Sequence, residues 1–196
     1  MSIRAFLAVV ISEEARQGVA RLRDRVEKGV MFTGAQPSWV RLESMHLTIK
    51  FLGNIEESAV EKISARLGPA CAALSSFVYG VRGLGVFPSP RQPRVLWVGI
   101  KKADEEFKQL HQTVEAELSA LGFERDERPF HPHLTLARVR SLKGAAQMMK
   151  IVADNGREWC GECKAERLIF FQSQLHPSGA IYTKLREFPF EGPPKA

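Results

Sequence analysis

His46-Leu47-Thr48-Ile49 in the first half of the chain returns as His133-Leu134-Thr135-Leu136 in the second. Only five histidines occur among the 196 residues, and two of them open the same pattern of histidine, leucine, threonine and an aliphatic residue. On a β-strand, side chains alternate between faces, so each copy sends histidine and threonine one way and its two aliphatics the other. The aliphatic face asks for burial, which leaves an imidazole and a hydroxyl together on the opposite side. Two such strands, one in each half, point to two similar lobes facing each other across a cleft.

Working outward, Ile3 to Ile11 is an apolar run rich in β-branched residues and reads as a buried strand. Ser12 is placed to cap a helix whose first turn holds Glu13 and Glu14; Ala15, Val19, Leu22 and Val26 continue it at helical spacing to about Gly29. Strands are expected over 39–42 and 46–52, then a helix over 56–74 with a break or kink at Gly68-Pro69. Two further strands, 77–87 and 94–100, flank a loop whose Pro88, Pro90 and Pro93 argue against regular structure. A clear amphipathic helix spans 103–121, a strand 133–139, a helix 142–153, and a last strand pair 165–174 and 180–188. This mixed order predicts an α+β fold, a largely antiparallel sheet with helices packed outside, over one domain, 1–196.

Hydrophobic residues at 44% and charged residues at 26% exclude a disordered or fibrous chain. A net charge of +6 suits an anionic partner without proving one. No run approaches the ~18 apolar residues of a membrane helix, and no leader-like cleavage site follows Ala5–Ile11, so a cytoplasmic protein without a membrane partner is expected. Cys71, Cys160 and Cys163 are read as reduced; Cys160-Gly-Glu-Cys163 is half of a zinc-ribbon spacing with no second half.

The duplicated motif suits phosphodiester chemistry. Histidine titrates near neutrality, so one imidazole can take a proton from an attacking water while the other gives one to the departing oxygen. Two threonine hydroxyls can hold the non-bridging oxygens between them. A metal alternative exists at His131-Pro132-His133, with Asp126 and Glu127 near in sequence, but no cysteine or carboxylate cluster completes it. A non-catalytic module that binds RNA or nucleotides is a further alternative, disfavoured because binding alone has no use for two proton-transfer groups.

The chain resembles the two-histidine phosphoesterase superfamily, in particular its RNA 2′,3′-cyclic phosphodiesterase branch, also called the 2′-5′ RNA ligase branch. The resemblance runs through Arg4-Ala5-Phe6-Leu7-Ala8, His46 to Gly53, Gly85-Val86-Phe87-Pro88, Pro93 to Gly99, Phe130-His131-Pro132-His133-Leu134-Thr135-Leu136-Ala137-Arg138, Ser173-Gln174-Leu175 and Gly179-Ala180-Ile181-Tyr182. It implies two pseudo-symmetric lobes, each an antiparallel sheet with helices outside, around a V-shaped cleft. It also implies hydrolysis of RNA 2′,3′-cyclic phosphate ends to 2′-phosphates, with no metal and no other cofactor. By motif, His46 resembles the general acid, His133 the general base, and Thr48 and Thr135 the phosphate-holding positions. Partners are then RNA ends, tRNA halves among them, bound by a monomer; joining ends through a 2′-5′ linkage and hydrolysis of a smaller cyclic phosphate are the alternatives.

Further candidates depend on strand geometry. Lys50 falls on the face of His46 and Thr48 by strict alternation and is a candidate phosphate contact, whereas Arg138 falls opposite His133 and needs a twist or bulge to reach substrate. Phe130 is a candidate for stacking a terminal base, while Phe51 is expected in the core and Arg91 and Arg94 in solvent. Gly83-Leu84-Gly85 is no dinucleotide loop, because no helix follows it.

Overall fold

The computed structural model describes residues 1–29, 37–140, 145–176 and 179–193. Among these, nine strands and four helices follow one another as β1 (Ser2–Val10), α1 (Glu13–Gly29), β2 (Ser38–Trp39), β3 (His46–Glu56), α2 (Ala59–Ala72), β4 (Phe77–Ser89), β5 (Gln92–Lys101), α3 (Asp104–Ser119), β6 (His133–Arg138), α4 (Ala145–Asp154), β7 (Trp159–Ala165), β8 (Arg167–Gln174) and β9 (Ile181–Pro189).

The strands form one curled antiparallel sheet in the order β7-β4-β5-β6-β3-β1-β8-β9, with the short β2 beside β6. The two halves, β7-β4-β5-β6 and β3-β1-β8-β9, meet where Leu47 of β3 pairs with Leu134 of β6. These are the second residues of the two motifs, so the repeat sits astride the junction. Both leucines are 0% exposed, as is Leu136, and Ile49 is 2% exposed. Burying each contributes roughly 1.5–3 kcal/mol, which commits the opposite face of both strands to the cleft.

Helices cover the aliphatic face of each half. In α1, Ser12 Oγ accepts the Ala15 N–H at 3.1 Å and donates to the Glu162 carbonyl at 2.7 Å, so the cap also ties the helix to β7. The buried stripe of α1, including Gly18, Val19 and Leu22, packs on β7, and α4 packs on β4. On the other half, α2 and α3 pack against each other and against β3, with α2 also meeting β9.

Several expectations change. The segment at 39–42 is a strand only over Ser38–Trp39, followed by a 3₁₀ turn at Leu42–Ser44. Helix α2 runs through Pro69 and ends three residues later. The proline-rich loop is instead the tip of a hairpin: β4 and β5 continue to Ser89 and Gln92 with Pro88 opposite Pro93. The prolines are tolerated because, among the described residues, β7 pairs with β4 only as far as Arg82, so the N–H that Pro88 lacks is not needed for a partner on that side. Strand β7 has no counterpart among the elements expected from the sequence. Its Cys160 and Cys163 are both buried and unpaired, but the run has too few β-branched or aromatic residues to announce a strand. The expected start of α4 at Leu142 lies outside the described residues.

Candidate active site

His46 and His133 open strands β3 and β6 and line one cavity of about 430 Å³ together with Thr48, Thr135 and Arg138. Each imidazole is held alike. His46 Nδ1 lies 2.8 Å from the carbonyl oxygen of Ser44, and His133 Nδ1 lies 2.7 Å from that of His131. A carbonyl only accepts, so Nδ1 carries hydrogen in both rings and Nε2 is left for a ligand. The same two-residue reach back along the chain orients both rings, so the repeat extends to their supports. A neutral ring held this way offers a lone pair at Nε2, and a charged one offers a proton there.

Aromatic neighbours fix the ring planes. Phe6 stacks on His46 at 4.6 Å between centroids, and Tyr182 meets it edge-on at 5.1 Å. Phe87 meets His133 edge-on at 5.0 Å, with Trp97 behind at 6.3 Å. Burial lowers the pKa of His46, opposed by its bond to the Ser44 carbonyl. Burial also lowers that of His133, opposed by the His131 carbonyl and reinforced by the charges of His131 and Arg138. Both rings therefore favour the neutral form until an anion enters. Arg4 and Arg138 line the cleft and, among the described residues, no carboxylate does, which suits an anionic ligand.

A pair of bulges decides which neighbours join the histidines. Along β3, Ala8 faces Thr48 but Leu7 faces Lys50, so Ile49 is skipped. Along β6, Trp97 faces Thr135 but Leu96 faces Ala137, so Leu136 is skipped. Each bulge sits three residues after its histidine and inverts the alternation beyond it. Arg138 is thereby carried onto the face of His133 and Thr135 and lines the cleft. Lys50 is carried away from it, correcting the expectation of a phosphate contact. It is 3% exposed and donates to Glu115 Oε1 at 2.5 Å and to the Glu124 carbonyl at 2.9 Å. Phe51 moves in the opposite sense, 59% exposed on the cleft wall rather than in the core.

Phe130 stacks on His111 at 4.4 Å and 11°, and the residues lining the cleft do not include it. Arg94 is exposed and donates to the Arg140 carbonyl at 2.8 Å, and Arg91 is exposed. Asp126 does not join His131 and His133; it lies 3.6 Å from Lys50 Nζ and 3.9 Å from His111 Nε2. Among the described residues, the grouping compact enough for an ion is His111, Glu115 and Asp126, and the Lys50 ammonium already fills it. Phe6, Phe51, Phe87, Trp97, Tyr182 and Arg4 escape a reading of single strands. Their place depends on which strands lie side by side: β1 beside β3 puts Phe6 opposite Phe51.

Comparison with known proteins agrees with this geometry. Residues 10–174 match the family model of the 2′-5′ RNA ligase superfamily. An RNA 2′,3′-cyclic phosphodiesterase of Methanothermobacter thermautotrophicus is 32% identical over 96% of this chain and 99% of its own length. One from Thermotoga maritima is 32% identical over 97% of each chain. Among solved structures, a protein of Thermus thermophilus superposes with a TM-score of 0.77 at 26% identity, over 97% of this chain and 99% of its own. Escherichia coli LigT superposes at 0.72 and 20% identity over 96% of this chain and 98% of its own, which speaks for the fold.

Proposed function

The chain belongs to the 2′-5′ RNA ligase superfamily, and within it we propose that the protein is an RNA 2′,3′-cyclic phosphodiesterase that opens the cyclic end to a 2′-phosphate. Relatives that carry this name match the chain over nearly its whole length. The observation that carries the chemistry is the pair of imidazoles on one cleft, each with Nδ1 tied to a carbonyl and, among the described residues, Nε2 left for a ligand. A cyclic phosphate between the 2′ and 3′ oxygens exists only on ribose, so the substrate class is RNA or a ribonucleotide. Among the described residues no helix is long and apolar enough to cross a membrane.

In this mechanism His133 Nε2 takes a proton from water as its oxygen attacks phosphorus. The bond from phosphorus to O3′ breaks in line with the attack, and His46 Nε2 protonates the departing O3′. Thr48 and Thr135 hydroxyls donate to the non-bridging oxygens, and the Arg138 guanidinium balances their charge. The residues supply every proton, so a metal has no step to perform.

The test is an RNA ending in a 2′,3′-cyclic phosphate, incubated with the protein in EDTA, with the product monophosphate identified. A 2′-phosphate is expected, and His46→Ala and His133→Ala should each lower kcat by about 10²–10⁴-fold with unfolding unchanged. A 3′-phosphate product reverses the leaving-group assignment. Activity that depends on added metal, or survives both substitutions, ends the proposal.

A further inference from the structure

The rings of His46 and His133 are oriented alike, but the carbonyls that orient them are held in different ways. Ser44 closes a 3₁₀ turn that bonds to itself: its N–H donates to the Arg41 carbonyl at 2.9 Å, and the Met45 N–H to that of Leu42 at 3.2 Å. Arg16 Nη1 also donates to the Leu42 carbonyl, at 3.0 Å. His131 has no such turn. After Phe123, whose N–H donates to the Leu118 carbonyl at 3.1 Å, residues 124–132 form neither helix nor strand. Residues 124–129 are all exposed, and among the described residues no turn or loop bond between backbone groups falls within 124–132. Pairing with β5 begins only at His133, opposite Gly99. Yet this stretch supplies the carbonyl that holds His133 Nδ1 at 2.7 Å.

Side chains hold the stretch instead. Lys50 Nζ donates to the Glu124 carbonyl at 2.9 Å, and Glu115 Oε2 accepts the Asp126 N–H at 3.3 Å. The Asp126 carboxylate lies 3.6 Å from the same ammonium. Phe130, the residue before His131, lies flat on His111 at 4.4 Å. His111 and Glu115 sit one turn apart on α3, and Glu115 Oε1 accepts from Lys50 Nζ at 2.5 Å. The stretch is thus gripped at Glu124, Asp126 and Phe130, and the gripping ammonium comes from β3, the strand that carries His46 and Thr48. Resting on the phosphodiesterase reading, we propose that Lys50, Glu115, His111 and Phe130 are positioning residues for the general base. They fix the His131 carbonyl, and through it the ring of His133, relative to the strand of His46.

Stability alone does not account for this arrangement. Lys50 and Glu115 are 3% and 8% exposed, and apolar side chains of similar volume often stabilise as well as a buried ion pair. What apolar side chains cannot do is bond the Glu124 carbonyl and the Asp126 N–H. The bulge in β3 acquires a use: it turns Lys50, two residues past Thr48, from the cleft to the side of α3. Proton transfer needs His133 Nε2 within hydrogen-bond reach of the attacking water, and a displacement of about 1 Å can cost on the order of 10²-fold. A neutral ring released from the carbonyl also takes up the other tautomer, with hydrogen on the Nε2 that must accept the proton.

The double variant Lys50→Met/Glu115→Leu separates positioning from stability, because it exchanges the ion pair for apolar contact and leaves the stretch ungripped. Parent and variant are compared in hydrolysis of an RNA 2′,3′-cyclic phosphate end. The histidine ring ¹⁵N shifts, recorded at about pH 8 where both rings are neutral, tell Nδ1–H from Nε2–H. In the variant kcat should fall about tenfold to a hundredfold with KM within about twofold. His133 should lose its Nδ1–H tautomer while His46, held by its own turn, keeps it. If the double variant does not fold, Phe130→Leu, which spares the ion pair, carries the same test with a smaller fall in kcat. Unchanged kcat, a His133 that keeps its tautomer, or equal disturbance of both rings each overturns the proposal. The spectra need no turnover, so a parent protein that fails to hydrolyse the cyclic end refutes the phosphodiesterase reading, while a change confined to His133 still decides how that ring is held.

Discussion

Replacing Lys50 by methionine tests the bulge in β3 directly. If Lys50 pointed into the cleft, the change would leave stability intact and weaken phosphate binding. Instead its ammonium is 3% exposed, 2.5 Å from Glu115 Oε1. At an effective dielectric of about 20, a contact this short is worth about 7 kcal/mol of gross attraction, much of it offset by the cost of dehydrating both ions. Taking away the lysine alone strands a buried carboxylate and the Glu124 carbonyl, so Lys50→Met should cost about 3–5 kcal/mol. In urea, followed by tryptophan fluorescence, that is a midpoint shift of about 2 M. The double variant Lys50→Met/Glu115→Leu removes the stranded charge and should recover at least half of the loss.

The cost should also depend on pH. His111 Nε2 lies 3.6 Å from Glu115 Oε1, and its pKa is lowered chiefly by burial, with the Lys50 charge adding to the effect. Without Lys50, burial still lowers the His111 pKa but the neighbouring ammonium no longer adds to the effect, so that pKa rises relative to the parent protein. The folded variant then binds the His111 proton more readily than the folded parent as pH falls, and a protonated His111 faces Glu115 in place of Lys50, so the variant should lose less at pH 5.5 than at pH 8. A loss under 1 kcal/mol at pH 8, or lost turnover with unchanged stability, would refute the burial of Lys50 and with it the bulge.

Three further outcomes are expected. Because burial lowers both His46 and His133 below 6.5, kcat/KM should be bell-shaped with its maximum on the acid side of that value. The kcat profile should lie at higher pH, since a bound anion favours the imidazolium; a kcat/KM maximum above pH 7.5 contradicts the buried rings. The same depressed pKa values mean that stability falls as pH drops below about 6.5, where the unfolded chain binds the extra protons, and that inorganic phosphate opposes the loss. Gly18→Ala would set a Cβ 1.8 Å from the Cys160 carbonyl oxygen, a contact between backbones that no rotamer relieves. It should destabilise the chain by about 3 kcal/mol in thermal or urea unfolding, and a neutral result would mean that α1 does not lie this close to β7.

Much of the protein is legible from local patterns. The helices betray themselves by apolar spacing, and α1 buries Ala15, Val19, Leu22 and Val26 at the spacing expected. The two histidine motifs stand out because alternation makes a strand's polar face explicit. Strand β7 does not stand out, because its burial comes from neighbours: α1 covers Cys160 and Cys163, and Cys163 Sγ accepts the Ser12 N–H at 3.3 Å. Nor does the end of the β4–β5 hairpin, where the tolerance for proline depends on how far β7 extends.

What the amino-acid sequence determined by itself was the pair of imidazole and hydroxyl groups and the aliphatic faces behind them, since a period of two is a property of a single strand. What only the tertiary structure decided was the company these groups keep. A bulge arises from the fit between one strand and the next, as Ile49 against β1 and Leu136 against β5. One skipped residue in each strand sends Lys50 into the core and brings Phe51 and Arg138 to the cleft, because every side chain past a bulge changes face.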